Sequence, residues 1–75
     1  MNYQSDLWSI GVITYELLYG FKPFKTMNDQ TQAIYSFPPS QNVSNEAKDF
    51  IQGLLQVRRK KRFNWEQLFA HPFMK

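Results

Sequence analysis

The chain contains no cysteine, and this absence excludes several kinds of small domain. Without cysteine there is no disulfide and no thiolate metal site, the two supports on which many short chains depend. His71 is the only histidine, so a zinc site would also lack nitrogen ligands. A chain of 75 residues must therefore be stabilised by packing within itself or against something else.

Long apolar runs are also missing. None approaches the roughly 20 residues that a membrane-spanning helix needs. Segment 1–6, MNYQSD, has neither the basic start nor the apolar stretch of a secretion signal. We therefore expect a cytoplasmic chain that makes no contact with a membrane.

Aromatic residues, in contrast, are abundant, with seven Phe, four Tyr and two Trp. Their rings bury large areas. So many rings in a short chain favour a piece that packs against a missing partner. The alternative is a compact helical mini-domain that buries its rings internally.

A buried first helix is predicted from Leu7 to Leu18. Ser5 or Asp6 can cap its start, and Gly20 is suited to end it. At 3.6 residues per turn its apolar side chains cover nearly the whole circumference, a pattern typical of helices that are buried on all sides. Such a helix needs other parts of a protein around it.

A short second helix is predicted to begin at Asn28 or Asp29 and to run through Tyr35. The loop 21–24 precedes it, and the prolines that follow Phe37 end it.

The third helix is predicted to begin after a Ser44 cap and to have one apolar face. Its apolar residues follow the spacing i, i+3, i+4, i+7, i+8, namely Ala47, Phe50, Ile51, Leu54 and Leu55. Gly53 lies inside this helix and should weaken it by roughly 1 kcal/mol relative to alanine. A basic linker, 58–62, follows.

The fourth helix has a capping-box pattern, in which Asn64 caps the start and Gln67 reaches back to it. Pro72 would close this helix. The residues predicted to form its buried face are Trp65, Leu68 and Phe69. The whole chain is thus predicted to be all-α, with about four helices and no sheet.

Four segments resemble the C-lobe of eukaryotic Ser/Thr protein kinases, in the same order. Segment 6–12, DLWSIGV, resembles the D-x-W-S-x-G-V that opens the long central helix of that lobe. Segment 16–24, ELLYGFKPF, is similar to E-L-L-x-G-x-x-P-F, and segment 44–51, SNEAKDFI, to S-x-E-A-K-D-F-I. The stretch 54–73 resembles the closing L-L…R…H-P-F segment, and within the family it looks most like autophagy-initiating and then calmodulin-dependent-type kinases. The resemblance implies one partial protein kinase domain over 1–75.

The resemblance also implies roles for four residues that support the family's active site. Asp6 matches the aspartate that hydrogen-bonds the backbone of the catalytic loop. Ile13 and Leu17 match the positions that anchor an apolar column reaching towards the adenine of ATP. Arg62 matches the arginine that pairs with a buried glutamate after the activation segment.

The residues that perform the family's chemistry are missing from the chain. It has no G-x-G-x-x-G loop, strand lysine, H-R-D-x-x-x-x-N or D-F-G. We therefore assign no catalytic, cofactor-binding or metal-binding residue, and the ATP and magnesium implied by the family belong to the intact domain. His71 is expected to be a structural residue at a helix end. Where the family usually has Asp-Pro, the chain has Arg58-Arg59.

Three functions follow as hypotheses. The first is a C-terminal fragment of a Ser/Thr protein kinase that is inactive alone, whose partners are the rest of a kinase domain or protein substrates and regulators. The second is a non-enzymatic helical interaction module derived from a kinase C-lobe. The third is a nucleic-acid binder, since residues 41–75 carry seven Lys/Arg against three Asp/Glu. The third is disfavoured, because the helix after the basic run offers apolar side chains where groove readers have polar ones.

Overall fold

The computed structural model describes residues 3–39 and 42–74, which form helices and connecting segments without a strand. The α-helices are α1 (Tyr3–Tyr19), α2 (Met27–Gln32), α3 (Asn45–Leu54) and α4 (Trp65–Ala70). Two 3₁₀ turns, Arg59–Lys61 and Pro72–Met74, flank α4. The all-α prediction with four helices is confirmed. None of these helices is long and apolar enough to cross a membrane.

α1 begins earlier than predicted and ends where predicted. Because it starts at Tyr3, Ser5 and Asp6 lie inside its first turn and do not cap it. Gly20 ends it with a φ of 83°, and its N–H donates to the Glu16 carbonyl at 2.8 Å. This left-handed conformation is one that glycine adopts without steric cost.

One side of α1 packs closely on α3. Leu7, Tyr15 and Tyr19 are buried on this side, at intervals of four or eight residues. Gly11 belongs to the same line, and a Cβ there would lie 2.9 Å from both Leu54 Cβ and Leu55 Cδ2. Glycine at this position therefore lets the two helices approach closely.

The predicted bounds of α2 are wrong. Thr26 caps the helix, with its hydroxyl accepting a hydrogen bond from the Asp29 N–H at 3.0 Å. Ala33 ends it in the left-handed region at φ 53°, so Tyr35 lies beyond the helix. The ring of Tyr35 instead packs edge-on against Phe24 and Phe37, with centroids 5.8 and 5.5 Å away.

α3 agrees with its prediction. The Ser44 hydroxyl accepts a hydrogen bond from the Ala47 N–H at 3.1 Å. The five predicted face residues are all buried, namely Ala47, Phe50, Ile51, Leu54 and Leu55.

α4 has the predicted capping box but a narrower buried face. Asn64 and Gln67 exchange hydrogen bonds of 2.9 and 2.8 Å. Leu68 is buried, whereas Phe69 is 63% exposed, so its predicted burial is wrong. Phe69 stacks on Trp65 one turn away, with centroids 5.9 Å apart. Trp65 is half-buried and packs against the core beside Leu68, so Phe69 is the predicted face residue that stays in solvent.

The core has two parts that α1 joins. One contains Leu7, Phe50, Leu54 and Leu68. The other contains Tyr15, Tyr19, Ile51 and Leu55, with further rings packed around it. Many aromatic rings are thus packed internally, as in the mini-domain alternative, while the far side of α1 stays open.

Candidate functional site: the open face of α1

Three of the four predicted support residues lie on one stripe of α1. At about 100° per residue, Asp6, Ile13 and Leu17 fall within about 40° of each other around the helix. The line from Leu7 to Tyr19 that packs on α3 lies on the opposite side. We call the stripe of Asp6, Ile13 and Leu17 the open face of α1.

The open face exposes large apolar side chains. Ile13 is 54% and Leu17 80% exposed, whereas Leu7 on the packed side is fully buried. Phe21, just beyond the helix, is 49% exposed. Neighbouring apolar side chains of this size in water indicate a surface that another structure covers.

Asp6 places a carboxylate at the N-terminal end of the open face. Asp6 lies in the first turn of α1 and is exposed, and its side chain makes no hydrogen bond or ion pair with the residues of 3–39 and 42–74. The positive end of the helix dipole favours a negative charge at this position. The carboxylate oxygens can accept hydrogen bonds from the N–H groups of a segment that packs against the start of the helix.

Two clefts border the open face. One, of about 390 Å³, lies between α1 and the loop before α2, and is lined in part by the stacked rings of Trp8 and Phe24, 5.6 Å apart. The other, of about 360 Å³, lies at the C-terminal end of α1 beside Leu17 and Phe21. Ile13 lines both clefts. The open face is thus a ridge between concave surfaces that apolar side chains can fill.

The residues present do not fit a magnesium–ATP site. Within the described parts of the chain, no three His, Asp or Glu side chains come together in a way that could hold a metal ion. The sequence also has no glycine-rich loop whose N–H groups could hold phosphates.

Arg62 lies away from the open face. Its guanidinium carbon is 5.2 Å from the centre of the Trp8 ring, and its Nε and Nη2 donate to the Gln56 carbonyl at 3.1 and 2.8 Å. Burial, and secondarily the positive charge of Arg59, lowers the pKa of the Arg62 guanidinium. The contact between Arg62 and Trp8 was not predicted, because nothing in the sequence relates two residues so far apart.

His71 has a structural position, as expected. It is buried, with Nε2 2.7 Å from Asp49 Oδ2 and Nδ1 accepting the Phe73 N–H at 3.0 Å. Because an N–H group can only donate, Nδ1 is the acceptor and Nε2 carries the proton towards Asp49. The ring therefore joins the C-terminal turn to α3.

Comparison with known proteins identifies similar sequences along almost the whole chain. Residues 1–74 match the protein kinase domain family. The chain is 43% identical to a probable myosin light chain kinase of Dictyostelium discoideum, over 92% of the chain and 24% of that protein. It is 40% identical to serine/threonine-protein kinase D3 of Mus musculus, over 97% of the chain and 9% of that protein. It is 39% identical to the smooth muscle myosin light chain kinase of Gallus gallus, over 99% of the chain and 4% of that protein. The chain therefore spans about a quarter or less of the length of these curated relatives.

Proposed function

This chain belongs to the protein kinase domain family, and on that premise we propose that it forms the C-lobe support of a Ser/Thr kinase active site. The parent domain would transfer the γ-phosphoryl group of ATP to a Ser or Thr hydroxyl with the help of magnesium. Residues outside this chain would hold the nucleotide and the metal. The narrower assignment to autophagy-initiating or calmodulin-dependent-type kinases stays a prediction.

The observation that supports this proposal is the open face of α1. Asp6, Ile13 and Leu17 were assigned supporting roles by resemblance alone, and they share a single exposed stripe. In the proposed domain, the Asp6 carboxylate accepts hydrogen bonds from backbone N–H groups of the catalytic loop and so fixes the position of that loop. Ile13 and Leu17 bury their side chains beneath the apolar column.

Arg62 would support the same domain from another side. We propose that it receives a carboxylate from a segment outside the chain. The Trp8 ring and the Gln56 carbonyl restrict the guanidinium to one orientation. The planar guanidinium keeps its charge and is suited to the recognition of a carboxylate.

The proposal can be tested in a chimaera. Residues 1–74 would replace the matching segment of the kinase domain of the chicken smooth muscle myosin light chain kinase, and phosphate transfer to myosin light chain would be measured. We expect the chimaera to be active. Ile13→Asp and Leu17→Asp should each reduce transfer at least about tenfold, because each loses the ~1.5–3 kcal/mol of a buried Ile or Leu and buries a charge.

Met27→Asp is the matched control. Met27 is an apolar residue of α2, 75% exposed and outside the open face, so its substitution should leave transfer nearly unchanged. The isolated 75-residue chain is the negative control and should transfer no phosphate. A folded chimaera without activity, or an equal loss in the Met27 variant, would contradict the proposal.

A non-enzymatic interaction module is the second candidate function. The two clefts beside Ile13 favour it, since they could accept side chains of another protein. Cooperative unfolding of the isolated chain as a monomer would support this candidate. Dye binding without cooperative unfolding would instead support a fragment of a larger core.

A further inference from the structure

A run of four cationic residues, Arg58, Arg59, Lys60 and Lys61, follows α3, and all four are exposed. Three of them form the first 3₁₀ turn, Arg59–Lys61. The kinase motif that the chain resembles usually has Asp-Pro where Arg58-Arg59 stand. This chain therefore has two positive charges where the motif usually has one negative charge. The C-lobe support role does not explain this difference.

The turn directs two of these cations to the same side. A 3₁₀ turn has about three residues per turn, so residues 58 and 61 are aligned along it. Arg58 and Lys61 accordingly line one groove of about 460 Å³, between the end of α2 and the end of α3. Gln52 and Tyr35 line the same groove. Two cations and a side-chain amide thus lie around a concave surface.

The charge in this region is not balanced by acidic side chains. Within 3–39 and 42–74, neither Arg58 nor Lys61 forms an ion pair with a carboxylate. An anion in the groove would balance the charges of Arg58 and Lys61.

We propose that the groove lined by Arg58 and Lys61 binds an acidic, Asp/Glu-rich segment of a protein partner. Arg58 binds one carboxylate through its planar fork, and Lys61 binds a second as a point charge. Gln52 can donate to a backbone carbonyl of the segment. This inference does not depend on the C-lobe role, because the open face of α1 contributes no residue to the groove.

Features of the groove favour a peptide over other polyanions. A membrane surface is flat and cannot follow a concave site between two helices. Single-stranded nucleic acid is bound largely by stacking of bases on aromatic rings. Tyr35 is the aromatic residue that lines the groove, and its ring is already packed edge-on against Phe24 and Phe37.

The test measures binding of a fluorescein-labelled peptide of alternating Glu and Ser to the full chain by fluorescence anisotropy at low salt. A peptide with Gln in place of Glu is the ligand control. The double variant Arg58→Gln/Lys61→Gln should bind the acidic peptide about tenfold more weakly, as expected for the loss of two exposed charge contacts. Arg58→Lys keeps the charge but loses the planar fork, so it should bind more weakly than the parent chain and more tightly than the double variant.

The matched protein control is Lys22→Gln/Lys25→Gln. Both lysines are exposed and lie in the loop before α2. The two substitutions lower the net charge of +3 by two units, as those of Arg58 and Lys61 do. This control should leave binding nearly unchanged, with circular dichroism checking that both variants keep their helices. Equal losses in the two double variants would overturn the proposal, as would no binding or tighter binding of a single-stranded RNA or of anionic vesicles.

Discussion

Gly53 lies where the ring of Phe63 crosses α3. A Cβ at this position would overlap atoms of the Phe63 ring, and the Phe63 N–H donates to the Gly53 carbonyl at 2.8 Å. We therefore expect Gly53→Ala to lower the free energy of unfolding by about 1–3 kcal/mol through overpacking. Helix propensity alone would instead raise it by about 1 kcal/mol. Urea unfolding, monitored by circular dichroism, measures whether the substitution lowers or raises the free energy of unfolding.

Two further variants isolate the cause. Gln52→Ala changes an exposed neighbour in the same helix and should have an effect within about 0.5 kcal/mol. In the background of Phe63→Leu, Gly53→Ala should cost less than in the parent chain, because residues in contact are not additive. An unchanged cost in that background would show that the Phe63 ring is not responsible.

Tyr35 makes the fold sensitive to alkali. Burial, and secondarily the neighbouring Tyr15, raises the pKa of Tyr35 to about 12 from its usual 10. Burial also raises the pKa of Tyr15 and of Tyr19. A folded-state pKa above the unfolded value means that the stabilisation is fully present below pH 10 and is lost as the pH rises towards 12.

We expect the free energy of unfolding to fall between about pH 10 and 12, measured by urea unfolding alongside tyrosinate absorbance. Tyr35→Phe removes one titrating group and should make this fall smaller. The Tyr35 hydroxyl makes no hydrogen bond with the described residues, so the variant should be about as stable as the parent at neutral pH. Identical alkaline profiles would show that Tyr35 is not involved.

At the scale of helices, the elements with strong local signals could be predicted from the sequence. α3 has a one-sided apolar pattern and a serine cap, and α4 has a complete capping box. The end of α1 could be predicted from Gly20 because glycine is the residue that most readily adopts the left-handed conformation at a helix end. In each case the controlling contacts lie within a few residues of each other.

The errors arose where distant contacts decide the structure. α2 ends at Ala33, and beyond it the Tyr35 ring packs on Phe24 and Phe37 instead of continuing the helix. Phe69 stays exposed and stacks on Trp65, while Leu68 is the residue of α4 that is buried with Phe50 and Leu54. For the open face of α1, the pattern indicated burial on all sides, and which side this chain covers depends on α3. The assignment of Asp6, Ile13 and Leu17 came from the family motif, since propensity gives no information about an absent partner.

The molecule as a whole is thin. Its Cα atoms extend 35 and 32 Å in two directions and only 16 Å in the third. Helices pack with their axes about 8–10 Å apart, so this thickness holds two layers. Each helix therefore keeps a side without a further layer over it, and for α1 that side carries Ile13 and Leu17.

We expect the isolated chain to self-associate through the open face of α1. The double variant Ile13→Lys/Leu17→Lys should increase the monomer fraction and reduce binding of a hydrophobic dye, measured by sedimentation velocity over a concentration series and by fluorescence. Met27→Lys/Val57→Lys is the matched control, because these apolar residues are 75% and 51% exposed but lie outside the open face. If both double variants reduced association equally, general charge repulsion would explain the effect. A selective effect of the α1 pair would identify the surface that the rest of a kinase domain covers, since the same two apolar side chains would drive both contacts.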